Sequence, residues 1–122
     1  MILRRFVILM HNHPFLHWDF LVEGAESAST WRLMREPCLN EPILAEPIAD
    51  HRLMYLEYEG PVSGNRGQVV RTLSGVVTSD TFGSDDAPSR VFELAQQSFA
   101  TRAEFFQSSD GRWFVRFATS IA

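Results

Sequence analysis

Residues 4–23 read RRFVILMHNHPFLHWDFLVE. An apolar, β-rich run from Arg4 to Met10 breaks at Asn12–His13–Pro14, and His17–Glu23 resumes with mixed alternation. Two such runs around a proline-containing break predict two strands joined by a tight turn. Working outward, Gly24–Ser29 is small and polar and Thr30–Met34 is strand-like again, which predicts a second antiparallel connection. Pro37, Pro42 and Pro47 then recur. Because proline removes a ladder donor, irregular or edge-strand structure is expected through Ala49.

Further on, Pro61–Gly67 has the chemistry of a turn, Gln68–Thr78 that of a long strand, and Thr81–Ser89 that of a polar loop. From Arg90, the positions Val91, Leu94 and Ala95 fit a helical stripe, whereas the Phe-rich residues that follow favour strands; strands are the reading adopted. Arg102–Gln107, a turn at Ser108–Gly111 and Arg112–Thr119 predict a hairpin with Trp113, Val115 and Phe117 on one face. Many short strands with few helical windows predict a mainly β fold, a single-domain β-barrel or strongly curved antiparallel sheet with little helix. Residues 1–122 are read as one domain.

At 122 residues and 45% hydrophobic, with ten Phe and three Trp, the chain has apolar material for one core. No stretch approaches the roughly 18 apolar residues of a membrane span. Met1–Met10 carries Arg4 and Arg5 and no small-residue cleavage site, so a soluble, unexported chain without membrane contact is expected. The single Cys38 cannot close an intrachain disulfide and reads as a small hydrophobe in a reducing cytoplasm. The formal charge is −4, so any contact with nucleic acid must be local. All eleven basic residues are Arg, so phosphate would be gripped by planar bidentate forks.

The four histidines lie within the first 51 residues, and His11, His13 and His17 fall within seven positions, with Asp19 two further on. On a strand, His17 and Asp19 project from one face, imidazole beside carboxylate. His11, across the turn, can supply a third ligand, and two His with one carboxylate leave positions open for water and a substrate oxygen. The same residues also fit turn histidines and an Asp that caps or pairs with an Arg, and spacing alone leaves both readings open. His13, in the turn itself, is expected to face solvent or to support a ligand. A cupin reading of His-x-His needs another His well downstream, and none follows His51. His51 with Tyr55 four residues later is unremarkable alone. Beside a metal, such a His can protonate a leaving alkoxide and such a Tyr can fix a phosphoryl oxygen.

Taken together, His11-x5-His17–Trp18–Asp19–Phe20, Ser29–Thr30–Trp31 and Ala49–Asp50–His51–Arg52–Leu53–Met54–Tyr55 through Glu59–Gly60 resemble the ordered motifs of the 3′-phosphoesterase domain of bacterial DNA ligase D. The resemblance covers about residues 5–78 well and the C-terminal hairpin loosely. It implies a compact β-barrel that uses Mn²⁺, or alternatively Zn²⁺ or another divalent ion, to remove a 3′-terminal ribonucleoside and then the remaining 3′-phosphate. His11, His17 and Asp19 would hold the metal, and His51 and Tyr55 would hold or protonate the phosphate. The implied substrate is the 3′ end of DNA, or a primer-template with a terminal ribonucleotide, in repair by non-homologous end joining. No ligase or polymerase region is read in this sequence, so a separate repair ligase or polymerase is the expected partner.

One position departs from the family. Leu21 stands where the family's Asp-Phe-Arg has its phosphate-gripping Arg, which puts activity in question; Arg32, Arg35 or Arg52 are the candidates to replace it. Arg35 resembles the Lys of the family's Trp-x-x-x-Lys-Gly stretch, although Glu36 replaces the Gly. The competing expectations are a catalytically degenerate domain of the same fold that binds nucleic acid or protein, and a hydrolase of small phosphorylated molecules.

Overall fold

The computed structural model describes residues 3–119. Its elements are β1 (Arg4–His11), β2 (His17–Glu23), β3 (Ala28–Leu33), β4 (Ile43–His51), a single 3-10 turn (Leu53–Leu56), β5 (Gly60–Pro61), β6 (Gln68–Phe82), β7 (Ser89–Ala95), β8 (Arg102–Gln107) and β9 (Trp113–Ala118). Neighbours pair antiparallel in the order β1-β2-β3-β4-β9-β8-β7-β6-β5, and β1 also pairs with β6. That extra pairing closes eight strands into a barrel and leaves the two-residue β5 as an appendage on β6. Closure removes most of the exposed edge that an open sheet would leave. The expected barrel is therefore observed, and the segment after Arg90 is strand rather than helix.

The long β6 makes closure possible. Its first part pairs with β1 from Val69 to Val77, and its second pairs with β7 from Val76 to Phe82, with register shifts where it bends. At Gly75 a Cβ would run into the carbonyl of Ala95 and the ring of Phe6, so the strand can lie this close only without a side chain. The strand reaches Phe82, which shortens the loop expected from Thr81. Two strands continue side by side here, and their ladder satisfies backbone groups that a loop would leave to water.

The proline-rich segment is irregular over 34–42 and then forms an edge strand, as expected. Ile43–His51 is a nine-residue strand with Pro47 inside it opposite Trp31 of β3, and its pairing with β3 shifts register between Ala28 and Thr30. On its other side β4 meets β9 only through Ile43 and Leu44, so from Ala45 onward that side is an edge. Pro47 is tolerated because its missing N–H falls where β4 has only one ladder neighbour.

The barrel interior holds Phe6, Ile8, Phe20, Phe92, Phe105, Val115 and Phe117, all essentially inaccessible. Phe20 is central, with ring centroids 5.6 Å from Phe6, 5.6 Å from Phe92 and 5.3 Å from Phe105. A second apolar cluster lies on the outer face of β1 and β2, where Val7, Leu9, Leu21 and Ala28 are covered by Leu56, Val62 and Val69. The chain after β4 thus folds back over the barrel wall. This explains the mixed alternation of β2, which is buried on both faces along nearly its whole length. No helix among the described residues is long and apolar enough to cross a membrane.

Candidate metal centre and phosphate cleft

The outer face of β1 and β2 changes character along its length. On β1 the outward positions run Val7, Leu9, His11, and on β2 they run Leu21, Asp19, His17. Antiparallel register sets Leu9 beside Asp19 and His11 directly opposite His17, with the two imidazole centroids 5.0 Å apart. The apolar patch therefore ends in a polar row held by two adjacent strands. His51, the last residue of β4, joins this row as its strand ends.

Asp19 is the focus of the group. His17 Nε2 lies 3.2 Å from its Oδ1, His11 Nδ1 lies 3.5 Å from Oδ2, and His51 Nε2 lies 3.7 Å from Oδ2. Burial works to raise Asp19, but the His17 imidazole, and then His51, outweigh it and hold the carboxyl well below the usual carboxylate range. It is an anion at neutral pH. His17 is fully inaccessible and Asp19 only 1% exposed, yet Oδ1 has no hydrogen-bond partner among the described residues.

The far side of each imidazole determines what faces the carboxylate. A backbone carbonyl can only accept, so the ring nitrogen beside it carries the proton. His17 Nδ1 donates to Phe15 O at 2.9 Å, His11 Nε2 to Arg66 O at 2.9 Å, and His51 Nδ1 to Ala49 O at 3.4 Å. In a neutral ring the nitrogen turned toward Asp19 is then a lone pair, free to ligate a cation. In a protonated ring it donates to the carboxylate, and the His17 Nε2 contact with Asp19 Oδ2 at 3.3 Å is the foremost of those that hold the carboxyl low. The same group thus takes either a cation or protons. Ligand atoms of His11, His17 and Asp19 all lie within 4.8 Å of one another, a spacing that suits one ion. The donor set, two imidazoles and a carboxylate with backbone carbonyls behind the rings, suits a divalent transition metal.

In front of this group opens a cleft of about 490 Å³, lined by His11, Arg32, His51, Arg52, Tyr55 and Arg66 among others. Three Arg on one cleft give an acidic chain a local site for an anion. Arg32 is carried by β3 opposite Asp19, with Glu46 of β4 on its other side. Its guanidinium carbon lies 5.6 Å from the centroid of the Phe15 ring, and its Nε is buried without a hydrogen-bond partner among the described residues. The ring of Tyr55, from the 3-10 turn, stands edge-on to His51 at 5.7 Å.

Among the expected site residues, His11, His17, Asp19, His51 and Tyr55 come together, and Arg32 and Arg52 line the cleft beside them. Arg35 does not. It is bonded at the surface to Glu41 Oε2 and Pro42 O, both at 3.2 Å, and is absent from the cleft lining. Strand register explains the choice: a residue directly across from Asp19 shares its face, whereas Arg35 lies beyond the end of β3. His13, with its ring 6.4 Å from His11, is outside the group of possible ligands.

Leu21 lies in the outer apolar cluster, fully buried, so an Arg there would have to displace packed side chains. Sequence reading missed Arg66, whose carbonyl orients His11, and the backbone of Phe15, which orients His17. Gly67, next to Arg66, has φ of +70°, and a Cβ there would collide with Asn12. Asn12 in turn accepts the N–H of Gln68 at 2.9 Å and ties the two turns together. The only sequence signal for this contact was the glycine-rich turn.

Residues 9–105 match the DNA ligase D 3′-phosphoesterase domain family. The multifunctional non-homologous end joining protein LigD of Pseudomonas aeruginosa is 29% identical over 118 residues, a match that covers 93% of this chain and 13% of that protein.

Proposed function

We propose, from the premise that this chain belongs to the DNA ligase D 3′-phosphoesterase domain family, that it is a divalent-metal-dependent phosphoesterase. In this reading it trims 3′ ends of nucleic acid, removing a terminal ribonucleoside and then the 3′-phosphate, to prepare ends for joining. The observation that carries the reading is the buried Asp19 carboxylate facing three imidazole nitrogens whose opposite nitrogens are held by backbone carbonyls.

His11, His17 and Asp19 would hold the ion, Mn²⁺ or alternatively Zn²⁺. When bound, a divalent ion supplies Lewis-acid polarisation of a phosphoryl oxygen and acidifies water. The chain's own side chains account for the remaining steps. Arg32, a planar fork with a buried unpartnered Nε, grips non-bridging phosphoryl oxygens in place of the Arg that Leu21 replaces. Arg52, exposed at the cleft, adds a second positive charge. Tyr55 fixes another phosphoryl oxygen through its hydroxyl. In the monoester step water attacks phosphorus and gives up a proton, the bond from phosphorus to the 3′ oxygen breaks, and the departing oxygen takes a proton from the His51 imidazolium, which the proton lost by water restores. Release of a 3′-hydroxyl and inorganic phosphate balances the reaction.

Against a catalytically degenerate binding module stands the grouping of His11, His17, Asp19 and His51 beside a cleft lined by Tyr55, Arg32 and Arg52. The test is to incubate the metal-stripped protein with a primer-template bearing one 3′-terminal ribonucleotide, adding Mn²⁺, Zn²⁺ or Mg²⁺ separately. The expected result is sequential loss of the nucleoside and the phosphate with one of these ions, and no reaction in a folded His17→Ala variant. Unchanged turnover in that variant would exclude this site, and no turnover with any ion would exclude the activity.

A further inference from the structure

Phe15 is an aromatic residue that belongs to neither apolar cluster. It sits in the turn between β1 and β2, is 44% exposed, and is followed by Leu16 at 52%. A single exposed hydrophobe needs no explanation. This one is held at the site by three contacts. Its carbonyl accepts the Nδ1–H of His17 at 2.9 Å, its ring is edge-on to the His17 ring at 5.4 Å, and the Arg32 guanidinium lies 5.6 Å from its centroid. The backbone is therefore fixed to one candidate metal ligand and the ring to the candidate phosphate clamp, while much of the side chain stays open to solvent.

We propose that Phe15 is a stacking platform for the nucleobase of the 3′-terminal nucleotide. This rests on the reading of the cleft as a 3′-end site. A phosphate gripped by Arg32 brings its own nucleoside to the same rim, where an exposed ring beside a cation suits the flat face of a base and not a bare sugar. Every base has such a face, so the contact adds affinity for a nucleotide end without selecting a sequence. It also gives a −4 chain, which lacks a basic surplus, a non-electrostatic grip on its substrate.

The experiment compares wild type, Phe15→Ala and Phe15→Trp on primers whose 3′-terminal ribonucleotide carries either a base or an abasic ribose. A second readout is the fluorescence of a purine analogue placed at the 3′ terminus, which stacking quenches whether or not turnover follows. Phe15→Ala is expected to raise KM for the base-bearing end about tenfold, near the lower range for one aromatic stack. The same variant should raise KM for the abasic end several-fold less and lose the quench, and Phe15→Trp should restore the difference between the two ends and the quench. Equal loss on both ends would mean that the ring only orients Arg32 and would overturn the proposal, as would a quench that persists in Phe15→Ala. Absence of turnover in wild type would remove the enzymatic reading, and the quench would still decide the stacking.

Discussion

Replacing Arg32 by Met should separate function from stability. The buried Nε has no partner among the described residues, and relief of such a group returns about 1–3 kcal/mol. Against this, Met forfeits the contact with Phe15, about 0.5–1 kcal/mol, and attraction to Asp19 and Glu46, the neighbours in register, on the order of 1 kcal/mol. The terms nearly cancel, so the unfolding free energy should change by no more than about 1 kcal/mol. Catalysis has no such compensation. Loss of one positioned donor to a phosphoryl oxygen removes about 3 kcal/mol of transition-state stabilisation, or more than a hundredfold in kcat/KM. Arg32→Lys should fall between, since a point charge lacks the fork. Urea unfolding in parallel with steady-state release of phosphate from a 3′-phosphate primer measures both quantities. A stability loss near 3 kcal/mol with activity intact would show that Arg32 is a structural residue and refute the reasoning.

Two further substitutions test the surroundings of the site. Restoring the family residue by Leu21→Arg should destabilise the fold by about 3–5 kcal/mol, because position 21 is fully buried among Val7, Leu9, Leu56 and Val69 and would hold an uncompensated charge; calorimetry that shows no loss would contradict the packing. Asp80 accepts from Arg90 at 2.9 Å and from Arg4 at 2.8 Å; burial pushes its carboxyl up, but Arg90 and then Arg4 outweigh it and hold it below its ordinary value of 3.8. A lowered value contributes stability above the unfolded pKa that is lost as pH falls through the folded one. Asp80→Asn should therefore reduce stability by about 2 kcal/mol near neutral pH, and its Tm deficit should narrow below about pH 4. A deficit that is constant down to pH 2 would count against the ion pairs.

The barrel was legible because the short β-rich runs and turn residues required little else, and the C-terminal hairpin closed as its alternation implied. Pro47 was legible as an edge signal because its missing N–H excludes a second ladder neighbour, and it lies where β4 pairs with β3 alone. At the site, the period-two spacing of His17 and Asp19 put both side chains on one face, and the turn brought His11 opposite His17. The choice among Arg32, Arg35 and Arg52 was not legible, since it depends on which residue of β3 pairs with Asp19. Nor were the carbonyls of Phe15, Ala49 and Arg66, because backbone groups carry no sequence label. Those carbonyls decide which nitrogen of each imidazole faces Asp19.

The most direct test titrates Mn²⁺ into metal-free protein while following release of inorganic phosphate from a primer that ends in a 3′-phosphate. Turnover should rise and saturate at one ion per chain in wild type and be absent at every concentration in Asp19→Asn. Release that persists in Asp19→Asn, or that never begins in wild type, would contradict the assignment of His11, His17 and Asp19 as the metal centre of a 3′-phosphoesterase.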